Sequence, residues 1–221
     1  MLHLIKLEMK KHKPGGMLLT VLISDLAILA FVLMIGYSEP FEDYATALYV
    51  IRLLITSTFV VYASVLLSKF VVEEYRSQTI TLLFLYPINR RKLLLSKLLI
   101  VGAFTFLAIV ISDLTLSAGF AAINDRRPIV PEGLTADLLA DEAVRLLIFA
   151  ASAACLSLIP LFFGMRKKSV PVTIVSSLLI VFIFFLGGPQ LSSAIGVPVA
   201  LGIVGLLAAY LTVRNVETKD L

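Results

Sequence analysis

Three charged side chains interrupt long apolar stretches of this sequence, and these are the first places to look for chemistry. Asp25, Arg52 and Asp113 each stand within a run of about 20 or more mainly apolar residues. A charge at the centre of a bilayer costs at least about 2.5–3.5 kcal/mol, so such groups usually face other helices or a watery cavity. Their role is therefore either pairing between helices or lining a polar path, and helix fastening is favoured.

The second concentration of charge is the segment 73–92, in which charged groups adjoin an apolar stretch. Glu73, Glu74 and Arg76 precede the run TITLLFL, and Pro87 then interrupts the chain. A short helix with both kinds of residue must bury its apolar side against the bundle, the lipid headgroups or a partner's groove. The residues by themselves leave packing beneath the bundle and docking of a partner equally open.

The composition is that of a membrane protein. Of the 221 residues, 59% are hydrophobic and 15% are charged, and the mean hydropathy is +1.00. Soluble domains are nearer about 45–50% apolar and about 25% charged. We therefore expect an all-α, polytopic membrane protein with one transmembrane domain, 1–221. Six apolar runs are long enough to be predicted spans: 17–36, 48–72, 93–123, 144–164, 170–186 and 196–213.

The distribution of Lys and Arg predicts the orientation of these spans. Only Arg126 and Arg127 fall in the loops of one side, and Arg52 and Arg145 lie at helix ends near that side. Every other member of the 19 basic residues falls on the opposite side. Because cytoplasmic loops carry the excess of positive charge, both termini are predicted to be cytoplasmic.

Two segments outside the spans have predicted roles. Residues 1–16 place Leu2, Ile5 and Met9 at helical spacing beside several lysines, which favours an interfacial helix at the inner membrane surface. A basic flank that merely fixes the orientation is the alternative. Residues 124–143 are predicted to form an extracellular loop.

Orientation also assigns depths to the three charges within the spans. Arg52 and Asp113 both lie toward the outer side, so they are predicted to pair. Asp25 lies in the inner half of the first span without a basic residue at its depth. It is expected either beside hydroxyl groups such as those of Ser24 and Thr20 or in a polar cavity.

The segment after the second span resembles the same region of ABC-2 type transporter permeases. Residues 74–80 (EYRSQTI) precede Leu82-Leu83, then Pro87-Ile88-Asn89-Arg90, and finally Lys97. The family pattern is an acidic residue, Gly-Thr or Asn-Thr, an apolar pair, Pro-x-Ser-Arg, and a Lys at the start of the third span. Gln78 and Asn89 depart from it, and both replacements are polar. Six spans, a basic amphipathic N-terminus and no large external domain are similar to the small permeases of antimicrobial-peptide export and immunity systems.

The resemblance implies a permease subunit of an ABC exporter in the plasma membrane of a prokaryote, moving an amphipathic or hydrophobic substrate such as a peptide. It implies two partners: a cytoplasmic ATPase, and a second permease chain in a homodimer or a dimer with a paralogue. The sequence has no GxxxxGK[ST] phosphate loop, so ATP and Mg²⁺ are expected on the ATPase and no cofactor on this chain. Membrane lipid is the other expected partner, and nucleic acid is not. The resemblance also implies that the segment 73–92 is a cytoplasmic coupling loop containing a short coupling helix that docks on the ATPase. The residues expected to contact the ATPase are Glu73, Glu74, Arg76, Gln78, Thr79 and Ile80.

The main alternative is an ATPase-independent binding or immunity protein that sequesters a peptide or protects its target. It would share the same spans, and it differs in having no need of a docking helix in the segment 73–92. An enzyme is not favoured, because His3 and His12 both lie in the N-terminal segment, outside the spans where intramembrane chemistry would need them. Cys155 is the single cysteine, so neither a disulfide framework nor a cysteine metal site is expected.

Overall fold

The computed structural model describes residues 14–76, 90–126, 129–130, 136–167, 169–186 and 196–218. Every regular element within these residues is a helix. In chain order they are α1 (Pro14–Ser38), α2 (Tyr44–Leu67), a π-helical segment (Ser68–Val72), α3 (Glu73–Arg76), α4 (Arg90–Asn124), α5 (Ala136–Leu156), α6 (Ile159–Lys167), α7 (Val170–Leu186) and α8 (Gly196–Thr218).

The helices have the length and composition of membrane spans. Five described stretches are long and apolar enough to cross a bilayer: 15–38, 44–72, 92–124, 141–167 and 196–214. The helix α7 is shorter, with 17 residues, which is at the lower limit of about 17–25 residues for a span. The predicted all-α, polytopic membrane fold is thus confirmed.

The helix bounds differ most from the predicted spans at the fourth span. The helix α5 begins at Ala136, so part of the predicted extracellular loop 124–143 is helical. The fourth span is also divided into α5 and α6 at a turn before Pro160, which has no N–H to continue the helical hydrogen bonding.

Two other predicted elements fall mostly or wholly outside the described residues. The interfacial helix predicted for residues 1–16 overlaps the structure only where α1 begins, at Pro14. Proline is common in the first turn of a helix, because the missing N–H would have no helical partner there. In the predicted coupling loop 73–92, residues 77–89 lie outside the described part of the chain.

The helix α2 lies at the centre of the bundle and packs against α1, α4, α5 and α7. Ile51, Ile55 and Phe59 on its buried faces are almost completely enclosed. A hydrogen bond of 2.9 Å between the hydroxyls of Ser64 and Ser177 joins α2 to α7. By contrast, α1 is peripheral and leaves most of its large apolar side chains exposed, which suits a surface that faces lipid chains.

The helices α8 and α5 approach each other closely. A Cβ atom added at Gly205 would overlap the backbone carbonyl of Cys155, and one added at Gly202 would lie 3.2 Å from the Cα of Ser152. Small residues allow such backbone contact between membrane helices, where dispersion contacts rather than the hydrophobic effect drive association. The pairing of α5 and α8 therefore depends on Gly205 having no side chain.

Replacing Gly205 by alanine is expected to lower the apparent melting temperature of the purified protein in detergent. The added methyl group forces α8 away from α5, and overpacking of this kind costs about 1–3 kcal/mol. Gly102→Ala is the matched control, because a Cβ there meets no heavy atom within 4 Å. Equal melting temperatures for the two variants would contradict this packing.

Candidate functional site

Arg52 is a buried cation held by two carboxylates from other helices. It lies in α2, and its Nη2 atom is 2.7 Å from Oε2 of Glu142 in α5 and 3.6 Å from Oδ2 of Asp113 in α4. The guanidinium carbon also lies 5.7 Å from the ring centroid of Phe149, within the range of a cation–π contact. Arg52 is 6% exposed, so the two carboxylates supply the neutralisation that water would otherwise give.

The structure brings together two of the predicted intramembrane charges and adds a third. Arg52 and Asp113 are an ion pair, and Glu142 is the closer partner of the arginine. Sequence reasoning missed Glu142 because it placed the residue in an extracellular loop. The available signal was the helical spacing of Glu142 and Phe149, which lie seven residues apart and therefore on one face of a helix.

Asp25 lies apart from Arg52 but is linked to the same helix α4. Its Oδ2 atom accepts a hydrogen bond of 3.0 Å from the hydroxyl of Ser112, the residue before Asp113. The two carboxylates therefore lie at similar depth, not in opposite halves of the membrane. The hydroxyls of Ser24 and Thr20, considered from the sequence, instead donate to carbonyls of their own helix.

Several polar atoms in and beside these charged residues are buried but are not used in contacts between helices. In the described part of the chain, the buried atoms Asp25 Oδ1, Arg52 Nε, Thr56 Oγ1 and Asp113 Oδ1 have no hydrogen-bond partner. Thr56 follows Arg52 by one helical turn and lines a void of about 10 Å³ beside Phe149. The cluster thus retains a donor and acceptors that the contacts between helices do not use.

A second buried cation, Lys97, lies against the start of the predicted coupling loop 73–92. Lys97 is 3% exposed, and its Nζ atom donates a hydrogen bond of 2.7 Å to the carbonyl of Phe70 in the π-helical segment. The same ammonium forms an ion pair with the carboxylate of Glu74 in α3. Lys97 therefore joins the π-helical segment and α3, which precede the loop, to the first turns of α4, which follow the loop.

The predicted ATPase contacts divide into three groups in the structure. The carboxylate of Glu74 forms an ion pair with Lys97, so Glu74 holds the start of the loop against α4. Glu73 and Arg76 are exposed at the same end of the bundle. The remaining predicted contacts, Gln78, Thr79 and Ile80, lie outside the described residues.

The local backbone just before the loop is itself unusual. Residues Ser68–Val72 form a π-helical turn between α2 and α3. Such turns are rare and occur often at functional sites, since they change the direction in which carbonyl groups point. Here the turn contains the carbonyl that accepts from Lys97.

Comparison with known proteins agrees with these features. Residues 4–188 match the family model described as ABC-2 family transporter protein. The chain belongs to this family. The permease is also 37% identical over 227 residues to "Uncharacterized protein YcbO" of Bacillus subtilis (strain 168), covering 99% of this chain and all of that protein. No solved structure matches the permease.

Membership confirms the resemblance that the segment after the second span indicated. An ABC-2 permease is a transmembrane component of an ABC transporter and is not itself the catalytic component. Membership of the family therefore implies a separate ATPase component. The matched region contains both buried cations, Arg52 and Lys97, with their partners.

In this permease, Arg52→Met is expected to destabilise the fold more than Asp113→Asn. The first change leaves the carboxylates of Asp113 and Glu142 together without their cation, and breaking a buried pair in this way costs about 3–5 kcal/mol. The second change keeps the pair of Arg52 with Glu142. Thermal unfolding in detergent measures both, with the exposed Arg126→Met as a control for loss of positive charge. Equal melting temperatures for Arg52→Met and Arg126→Met would show that the cluster does not hold the helices together.

Proposed function

We propose that this permease is the membrane subunit of a prokaryotic ABC exporter, with both termini in the cytoplasm and an ATPase docked on the loop that follows α3. The positions of exposed charges support the orientation. Lys92, Arg166 and Arg214 are exposed at helix ends on one side of the bundle, and Glu39 and Asp125 are exposed at helix ends on the other. Basic ends toward the cytoplasm are the usual arrangement in membrane proteins.

The observation that carries the proposal is the buried contact of Lys97 with Glu74 and the carbonyl of Phe70. A loop attached to the bundle only through its backbone would bend when pushed. This loop instead leaves from α3 and returns into α4, and a buried charge joins the two helices at that point. A buried ion pair resists separation strongly, because breaking it exposes each charge to an apolar surrounding. Force on the loop is therefore delivered to α4.

The helix α4 can pass that force to the rest of the bundle. Lys97 and Asp113 are 16 positions apart on it, which corresponds to about 24 Å along the helix axis. Beyond the midpoint of α4, Ser112 contacts Asp25 in α1, and Asp113 contacts Arg52 in α2. A shift of α4 would thus alter contacts with both neighbours. We propose this as the route by which a nucleotide-driven movement changes access to the two sides of the membrane.

The working exporter in this proposal contains two permease chains and two ATPases. The permease chains are identical or closely similar, and ATP and Mg²⁺ bind to the ATPases alone. The substrate is amphipathic or hydrophobic, with a peptide as the leading class. The described interior supports this choice, since Arg52 is neutralised by Asp113 and Glu142, Lys97 is neutralised by Glu74, and the remaining core is mainly apolar.

The docking proposal is tested by purifying the tagged permease with its ATPase from native membranes. Arg76→Glu with Thr79→Arg is expected to lose the ATPase, because it reverses or adds charge in the docking segment without touching Glu74 or Lys97. Asp125→Arg, at the exposed opposite end of the bundle, is the control and should retain it. All three proteins should keep the same melting temperature.

Two outcomes would contradict docking at this segment. Retention of the ATPase by a folded Arg76→Glu, Thr79→Arg variant would place the contact elsewhere. Absence of any ATPase from the wild type, under nucleotide-trapping conditions as well, would instead favour a peptide-binding protein that works without an ATPase.

A further inference from the structure

A long groove lies between α4 and α8, with α5 as its floor. The cavity has a volume of about 800 Å³, which is within the range of about 300–1,000 Å³ for ligand sites. Its lining is almost entirely apolar, and it belongs to neither of the polar clusters described above. The residues that decide its shape are Leu95, Leu99 and Gly102 on α4 with Leu206, Tyr210 and Arg214 on α8.

The groove opens sideways, toward the lipid. Leu99 is 56% exposed and Tyr210 is 63% exposed, so the two walls present apolar surface to the surroundings. From Leu206 to Arg214 the wall runs about 12 Å along the helix axis. That length is comparable with one half of a hydrocarbon core about 30 Å thick. The groove therefore spans much of a single leaflet.

Both walls end in a basic residue on the same side of the bundle. Arg214 lines the groove at the end of α8. Lys92 precedes Leu95 by one turn of α4 and is exposed. The arrangement is an apolar trench with Arg214 in its lining and Lys92 one helical turn before its lining residue Leu95, which matches the acyl chain and the phosphate of a phospholipid. Basic pockets between membrane helices on the cytoplasmic side bind anionic headgroups in this manner.

We infer that this groove binds an anionic phospholipid of the inner leaflet, with an acyl chain along α4 and α8 and the headgroup phosphate between Lys92 and Arg214. Charge favours a lipid over a second permease chain as the occupant. In a symmetric pair, equivalent surfaces meet, so an interface centred on the groove would bring Lys92 and Arg214 close to their own counterparts. Like charges brought together at an interface oppose association, whereas an anionic phosphate neutralises them.

The bound lipid would fill the gap between the third and sixth spans at the end of α4 that carries Lys97. It would make the stability of that end depend on the anionic lipid content of the membrane. This inference is independent of ATPase docking and of the transported substrate. A bilayer with the same lipids in both leaflets tests it without reference to orientation.

The sequence provides a clean fluorescence assay, because it contains no tryptophan. Leu99→Trp places a single reporter in the groove, and Val175→Trp places one on the exposed surface of α7, away from the groove. In nanodiscs, quenching by brominated phosphatidylglycerol and by brominated phosphatidylcholine gives the relative affinity of each site for the two lipids. Each basic residue near the surface contributes about 1 kcal/mol toward an anionic lipid, which is about a five-fold change in affinity.

The expected result is a preference of about five-fold or more for phosphatidylglycerol at Leu99→Trp and a clearly smaller one at Val175→Trp. Adding Lys92→Gln and Arg214→Gln to Leu99→Trp should remove most of the preference. Arg166→Gln with Lys167→Gln, which removes two exposed charges at the end of α6, should leave it nearly unchanged.

A second variant separates the groove from its charges. Gly102→Phe keeps Lys92 and Arg214 and fills the trench, and a Cβ at this position meets no heavy atom within 4 Å. It should abolish the preference reported by Leu99→Trp. Persistence of the preference in the filled variant would mean that surface charge alone attracts the lipid, and the inference would be wrong. Equal preferences at Leu99→Trp and Val175→Trp would also overturn it, as would a Leu99→Trp signal that neither lipid quenches because another protein chain covers the groove.

Discussion

A positive charge buried in a membrane bundle must be neutralised by groups from elsewhere in the fold, and the positions of Arg52 and Lys97 follow from this constraint. Each is almost fully enclosed, and each reaches across to other helices for its partners. Arg52 joins α2 to α4 and α5 near one end of the bundle. Lys97 joins α4 to α3 and the π-helical segment near the other. These charged contacts fix how far each helix extends past its neighbours, because a shift along the helix axis would separate the buried charges.

The helix α4 takes part in both contacts, so it connects the two ends of the bundle. A helix of 35 residues is about 52 Å long, so it exceeds a hydrocarbon core of about 30 Å and extends beyond it. Its first turns are bound to the base of the loop after α3, and its middle is bound to α1 and α2. The tight packing of α5 on α8 through Gly205 forms a second, apolar unit beside it. The groove lies where these two parts of the bundle meet.

The sequence was most informative where one physical rule dominates. Long apolar runs predicted the helices of the described residues, and the cost of isolated charges in lipid predicted that Arg52 would seek a carboxylate. Glu142 was missed because the loop assignment relied on local polarity, although α5 starts before the apolar run and carries that residue into the bundle. The sequence did not predict that Glu74 also pairs with Lys97, which lies 23 positions later in the chain. Such pairings, like the groove between α4 and α8, depend on how distant segments pack.

Whether movement of α4 requires Lys97 can be measured by spin labelling. Spin labels at Ala122, near the far end of α4, and at Val199, near the adjacent end of α8, report the distance between these helices in a Cys155→Ser background. We expect that trapping the docked ATPase with nucleotide changes this distance in the otherwise unmodified permease and in Lys97→Arg. In Lys97→Met, the distance should stay constant although the ATPase remains bound. The same nucleotide-dependent change in a folded Lys97→Met complex would contradict the claim that the buried lysine transmits the force.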